Sequence, residues 1–206
     1  MDLAGKFIVL DGPDGSGKGT QLDRLAAWID AQGGRCRRAR DPGGTEIGER
    51  IRHVLLSYDL STMDRRCETL LFMASRAQLV AEIIRPALEA GETVLCDRYI
   101  TATCAYQGAA GLPPEEVLTL GRLAVGATWP HLTIVLDLPP EVGLRRIQGR
   151  ASDAMERRPA EFHRRVRELF RQLPALYPAP VVLIDADRDV EAVWQDIQEA
   201  VRRAFP

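Results

Sequence analysis

At 206 residues, with 46% apolar and 27% charged side chains, the chain is long enough for one sizeable core and is expected to form a single domain over residues 1–206. A net charge of −2 gives no global field of the kind that marks nucleic-acid or membrane-surface binders. No apolar run approaches the roughly 20 residues of a membrane span. Neither nucleic acid nor membrane is therefore expected as a partner. Cys36, Cys67, Cys96 and Cys104 show no C-x-x-C spacing and no signal-peptide pattern precedes them, so they read as free thiols of a cytoplasmic protein.

In chain order, the apolar run Phe7-Ile8-Val9-Leu10 comes first and reads as a buried strand. It leads through Gly12-Pro13-Asp14-Gly15-Ser16-Gly17-Lys18-Gly19-Thr20 into a helical pattern with Leu22, Leu25, Ala26 and Ile29 on one face. Strand, glycine loop, helix is the context that a G-x-x-x-x-G-K phosphate loop requires. Successive backbone N–H groups curl around a polyphosphate, the helix N-terminus adds positive potential, and Lys18 neutralises phosphate oxygens. A plain strand-to-helix turn needs one glycine or two, not three with a lysine in register. Only Lys6 and Lys18 are lysines among 27 basic residues, which makes Lys18 more telling. Gly19 stands where most such loops carry the Ser or Thr that binds Mg²⁺. The metal is thus expected on water and carboxylates, with Thr20 left to touch a phosphate. The run G-K-G-T-Q resembles nucleoside monophosphate kinases of the adenylate kinase type.

After that helix, Cys36 to Ala39 is a short strand candidate, and Arg40 to Thr45 is a Pro/Gly loop. Helical spacing returns from Glu46 to Leu56, through Ile47, Ile51, Val54 and Leu55. It returns again from Asp64 to Ala90, with Leu70, Met73, Ala77, Val80 and Ile84 on one side and a kink expected at Pro86. Thr93 to Cys96 is a buried strand ending on Asp97-Arg98-Tyr99. Helices are predicted over Ile100 to Gln107, from Pro114, over Val142 to Gln148, over Phe162 to Leu173 and over Val190 to Ala204. Strands are predicted over Leu132 to Leu138 and Val181 to Ile184. This alternation implies an α/β fold, a parallel sheet with helices on both faces, whose ligands collect beyond the carboxyl ends of the strands.

Four stretches together resemble the thymidylate kinase family, bacterial members in particular. They are Leu10 to Lys18; Arg40-Asp41-Pro42-Gly43-Gly44-Thr45 with Gly48 and Arg52; Leu71-Phe72-Met73-Ala74-Ser75-Arg76; and Asp97-Arg98-Tyr99 through Ala105-Tyr106-Gln107-Gly108. The likeness continues through Leu136-Asp137 and Glu141 to Leu144 and covers essentially the whole chain. It implies a three-layer P-loop fold with five parallel strands and a short lid at about 149–160. The implied reaction is ATP-dependent phosphorylation of dTMP to dTDP with Mg²⁺ by a homodimer.

The residues make chemical sense beside that resemblance. Phosphoryl transfer gathers many anionic oxygens, so its catalyst must position them and stabilise charge. Lys18 and Arg98 lie at two strand ends and can clamp donor and acceptor phosphates. Arg52 matches a position near the acceptor phosphate, against the plainer reading of a solvated helix face. Asp97 closes a buried strand, where it either orients Mg²⁺ or the attacking phosphate, as the resemblance implies, or forms an ion pair with Arg98. The resemblance puts Asp14 near the acceptor sugar and the metal, and Asp41 where Glu is usual. By itself Phe72 reads as core. The resemblance instead makes it the platform for a pyrimidine, with Arg76 four residues on bonding O4. Thr103 and Gln107 complete the base edge, and Tyr106 crowds the 2′ position.

Two positions depart from the family. Ala102 replaces a common serine, and Ala154 stands where bacterial lids often carry arginine. The lid cation must then come from Arg150, which matches a position some family members share, or from Arg157 or Arg158. Arg150 is the expectation, because a solvated turn beside Pro159 is the simpler account of the other two. Another nucleoside monophosphate kinase, or a nucleotide-binding regulatory module without turnover, are the alternative readings.

Overall fold

The strand predicted from Phe7 to Leu10 forms the middle of the sheet, and its alternation builds both cores. In the computed structural model, which describes residues 2–57, 62–149 and 154–206, β1 spans Phe7–Asp11 with all five residues buried. It is flanked by β2 (Cys36–Arg40), β3 (Thr93–Asp97), β4 (Leu132–Asp137) and β5 (Val181–Asp185) in the order β2-β3-β1-β4-β5, and every pairing is parallel. Phe7 and Val9 join Val94, Cys96 and Val135 in one apolar cluster. Ile8 and Leu10 join Leu95, Ile134 and Leu136 in another on the opposite face. Successive strand side chains point to opposite faces, and each large one fully buried contributes about 1.5–3 kcal/mol.

The second cluster is closed by α1 (Lys18–Ala31) and by the last helix, Val190–Ala204. Three further helices lie between β2 and β3: α2 (Glu46–Ser57), α3 (Arg65–Leu79) and α4 (Arg85–Glu89). They are followed by α5 (Ile100–Ala109), α6 (Pro114–Val125), α7 (Pro140–Arg146), α8 (Ala160–Leu176) and α9, the helix at Val190–Ala204. Residues of α3, α5, α6 and α8 close the first cluster. The predicted long helix is interrupted by a π turn at Val80–Ile84, where Arg85 N–H reaches back to Val80 O. Pro86 has no N–H for the next helical bond, which accounts for the break just before it. The apolar stripe of α3 also divides: Met73 is buried, whereas Leu70 is 53% exposed. In α2, Leu55 is buried but Ile47 and Val54 face solvent.

An arginine-rich strand such as β2 is tolerated because it is an edge. Arg37 pairs with Glu92 at 3.0 Å and Arg38 with Asp23, and exposed charge of this kind disfavours pairing with another chain. The helix expected from Val142 begins two residues earlier, at Pro140, which suits the first helical turn. Among the described residues, no helix is long and apolar enough to cross a membrane. Register sets both Leu10 and Arg40 beside Asp97, so the loops after β1, β2 and β3 open on one edge of the sheet.

Candidate active site

The glycine loop lies over the end of β1. A Cβ at Gly12 would come within 2.5 Å of Leu136 O, and one at Gly15 within 2.3 Å of Gly143 O, so backbone contact demands glycine at both places. A Cβ at Gly19 would meet nothing within 4 Å, so the missing hydroxyl there is not forced by crowding. Lys18 opens α1 and folds back over the loop, donating from Nζ to Gly12 O at 3.0 Å and Pro13 O at 2.9 Å. Burial and the charge of Arg98 lower its pKa to about 8, in spite of Asp14, Asp97 and Asp11 nearby. A depressed lysine loses its charge as pH rises through that value, while bound phosphates would restore it. We therefore expect kcat/KM for ATP to fall above about pH 8 while kcat holds to higher pH. A paired pH profile checks this; kcat/KM level to about pH 10 would show Lys18 to be charged throughout.

A cluster of charges gathers between the ends of β1 and β3. Arg98 is the one non-glycine residue with positive φ among those described, at 66°. Its N–H is anchored on Leu10 O at 3.0 Å. Such backbone strain persists only where surrounding contacts hold it. From there Arg98 donates to Gly12 O at 3.0 Å and to Asp14 Oδ1 at 2.5 Å, and its guanidinium lies 5.1 Å from the Tyr106 ring centre. The Tyr106 hydroxyl donates to the other Asp14 oxygen at 2.8 Å. Burial alone would raise the Asp14 pKa, but Arg98 and Lys18 outweigh it and hold the carboxyl below its ordinary value. Asp11, fully buried, accepts from Thr101 Oγ1 at 2.6 Å and from Gly12 N–H at 2.8 Å.

The ion pairs of Arg98 are with Asp14 and Asp11 rather than Asp97. Asp97 Oδ1 is buried with no hydrogen-bond partner among the described residues. An orphaned carboxylate oxygen beside a phosphate loop suits Mg²⁺, which keeps most of its waters and takes one or two carboxylates. Asp14, with both oxygens already engaged, suits a contact through water. Among the described residues, no three His, Cys, Asp or Glu side chains cluster to cage a metal.

At the far end, Arg76 and Asp41 form a buried pair, Nε to Oδ2 at 2.5 Å. Arg76 Nη2 donates to Tyr99 O at 3.1 Å and Thr103 Oγ1 at 2.9 Å, and Nη1 to the weak acceptor Met73 Sδ at 3.1 Å. Burial works against the Arg76 charge, yet Asp41 raises its pKa above the usual guanidinium value. Arg52 donates to Pro42 O at 2.9 Å. A single cavity of about 400 Å³ joins both ends. Of the residues expected from sequence, Asp14, Gly15, Gly17, Lys18, Gly19, Thr20, Asp41, Arg52, Phe72, Arg76, Asp97, Arg98, Thr103, Tyr106 and Gln107 line it. Gly12, Pro13 and Ser16 are not part of that lining; Gly12 O and Pro13 O instead accept from Lys18 Nζ. Arg150 and the lid residues 151–153 lie outside the described residues.

Sequence reasoning passed over Asp11 and Glu68 and gave Arg158 other surroundings. Asp11 carried one signal, a carboxylate closing an otherwise apolar strand. Arg158, read as part of a solvated turn, instead reaches the buried Glu68 at 3.0 Å and packs 4.9 Å from the Phe162 ring centre. Beside it Ala154 is buried, with its N–H on Leu56 O at 3.2 Å.

Comparison with known proteins bears out the family resemblance. The profile of the family described as Thymidylate kinase matches residues 10–197. A thymidylate kinase of Symbiobacterium thermophilum is 46% identical over 201 residues, covering 97% of this chain and 94% of the relative. One from Deinococcus radiodurans is 44% identical over 199 residues, with 96% of each covered. One from Solidesulfovibrio magneticus is 43% identical, covering 91% of this chain and 96% of its own. A match that extends from the phosphate loop past the aromatic end of the cavity, with relatives this similar along nearly their whole length, means that the chain belongs to the thymidylate kinase family.

Proposed function

We propose that this chain transfers the γ-phosphoryl group of ATP to dTMP, yielding dTDP and ADP by direct in-line attack without a covalent enzyme intermediate. The observation that carries the reading is the continuous cavity, with a lysine-bearing phosphate loop at one end and an aromatic-plus-donor wall at the other. Lys18 and Arg98 clamp the phosphates across the middle, Arg52 adds a third cation on the acceptor side, and Arg150 is the lid cation. Mg²⁺, when bound near Asp97, neutralises charge on the phosphate oxygens. Phe72 stacks the base, the remaining N–H of Arg76 Nη1 bonds its O4, and Tyr106 crowds the 2′ carbon.

A panel of nucleoside monophosphates with ATP and Mg²⁺, read as ADP release, tests this. dTMP should be the best acceptor. dCMP, which places an amino donor where thymine has O4, should be poorer by roughly 10²–10⁴-fold in kcat/KM. Faster turnover of dCMP or GMP would overturn the base-site assignment.

The proposed working form is a cytoplasmic homodimer built on α3 and α6. Leu70 and Leu123 are 53% and 85% exposed there, and a groove with Leu112 and Leu120 in its wall runs alongside. The free cysteines fit a reducing compartment. Sedimentation velocity should show a species of two chains, and a monomer at micromolar concentration would remove this assembly.

A further inference from the structure

Glu68 has no part in the chemistry described so far, yet it is one of the most deeply buried carboxylates in the molecule, at 2% exposure. It sits one helical turn before Phe72 on α3, so both lie on the same face of that helix. Two side chains reach it from elements distant in sequence. Arg158, near the end of the segment expected as the lid, donates from Nη2 to both carboxylate oxygens, at 3.4 and 3.0 Å. Gln107, on α5, donates from Nε2 to Oε1 at 3.0 Å.

The chemistry of that last bond has a directional consequence. A carboxylate paired with a guanidinium carries no proton and can only accept. The amide of Gln107 must therefore turn its –NH₂ towards Glu68, and its carbonyl is the group left for the cavity. The cavity wall beside Phe72 then offers a donor from Arg76 and an acceptor from Gln107. This pair matches an imide edge, where a carbonyl adjoins a ring N–H. It opposes an aminopyrimidine edge, which presents an amino donor beside a bare ring nitrogen.

We propose that Glu68, held by Arg158, is a positioning residue that sets the sense of the Gln107 amide and so selects imide-bearing pyrimidines. This rests on the dTMP reading above and adds to it the pair that fixes the polarity of the base edge. Arg158 contributes without touching the base. Without Arg158 the carboxylate loses the partner that holds both of its oxygens, so it no longer fixes the side of the Gln107 amide that faces it.

The test compares dissociation constants of dTMP and dCMP by calorimetry, together with their kcat/KM values, in wild type, Glu68→Gln, Arg158→Ala and Arg158→Lys. An amide at position 68 both donates and accepts, so Gln107 is released to either orientation. The dTMP:dCMP ratio should narrow about tenfold or more in Glu68→Gln and in the same direction in Arg158→Ala. The change should sit in Kd and KM, with kcat for dTMP within about tenfold of wild type. Arg158→Lys keeps the cation and should retain the ratio within about threefold. If Glu68→Gln does not fold, the part-exposed Arg158 variants give the same reading. A ratio unchanged in the folded variants, with loss confined to thermal stability, would show Glu68 to be packing only and overturn the proposal. Wild type that binds dCMP as well as dTMP would instead overturn the dTMP reading and this inference together.

Discussion

Replacing Lys18 with Ala is expected to lower kcat by on the order of 10²–10⁴ while leaving the fold intact. Its ammonium bonds two loop carbonyls and lines the cavity, so it is already held where phosphate charge develops during transfer. A cation placed in advance stabilises the transition state more than the ground state, and its removal should therefore appear in kcat rather than only in KM. Stability should not fall with activity. Lys18 titrates at about 8 in the fold, below its ordinary value, so the folded state binds its proton less tightly than the unfolded chain does. Below that pH the charged lysine opposes folding, and the opposition is relieved as pH rises from about 8 towards 10.5. At pH 7 the alanine variant should melt at or above the wild-type temperature. Steady-state ADP release and thermal unfolding of the same preparation measure both. A normal rate would remove the phosphate-loop reading.

Asp97→Asn is expected to cost roughly 10²–10³ in kcat and to raise the Mg²⁺ concentration needed for half-maximal rate. The substitution keeps shape and removes charge. Asp97 ends β3, and its Oδ1 has no partner among the described residues, while Arg98 beside it is engaged with Asp14 and Gly12 O. A buried anionic oxygen left without a partner in the fold is costly, and a site of catalysis is where such a cost is retained. The variant should accordingly be no less stable than wild type. A Mg²⁺ titration at saturating ATP and dTMP checks it, and kcat within about threefold with an unshifted Mg²⁺ midpoint would mean that Asp97 acts on neither metal nor phosphate.

Both variants touch residues that are legible in the sequence. Lys18 can be placed because the loop is a local device, with glycines, lysine and helix start falling within the nine residues from Gly12 to Thr20. Asp97 can be placed because a charge after an apolar strand marks the strand's carboxyl end, where ligands of parallel sheets collect. The partners of these residues are not legible there. Asp97 and Arg98 are neighbours in sequence, which invites an ion pair, but the left-handed backbone at Arg98 directs its side chain to the glycine loop instead.

From the sequence alone come the parallel α/β architecture, the phosphate loop, the family and the spacing that puts Phe72 with Arg76 and Thr103 with Gln107 on helical faces. Each rests on preferences expressed within a few residues: alternation, helical periodicity, glycine at tight backbone contacts. Strand order belongs to the tertiary structure, and with it the meeting of residues 84 to 92 positions apart, as in Arg98–Asp14, Glu68–Arg158 and Tyr106–Asp14. So do the exposure of Leu70 and the tolerance of arginines in β2, which depend on which neighbour covers a face and which strand is an edge. Local pattern states what a segment prefers to be. Only the packed chain decides which buried charge finds which partner, because a carboxylate such as Glu68 is tolerated inside only when a distant cation is brought to it.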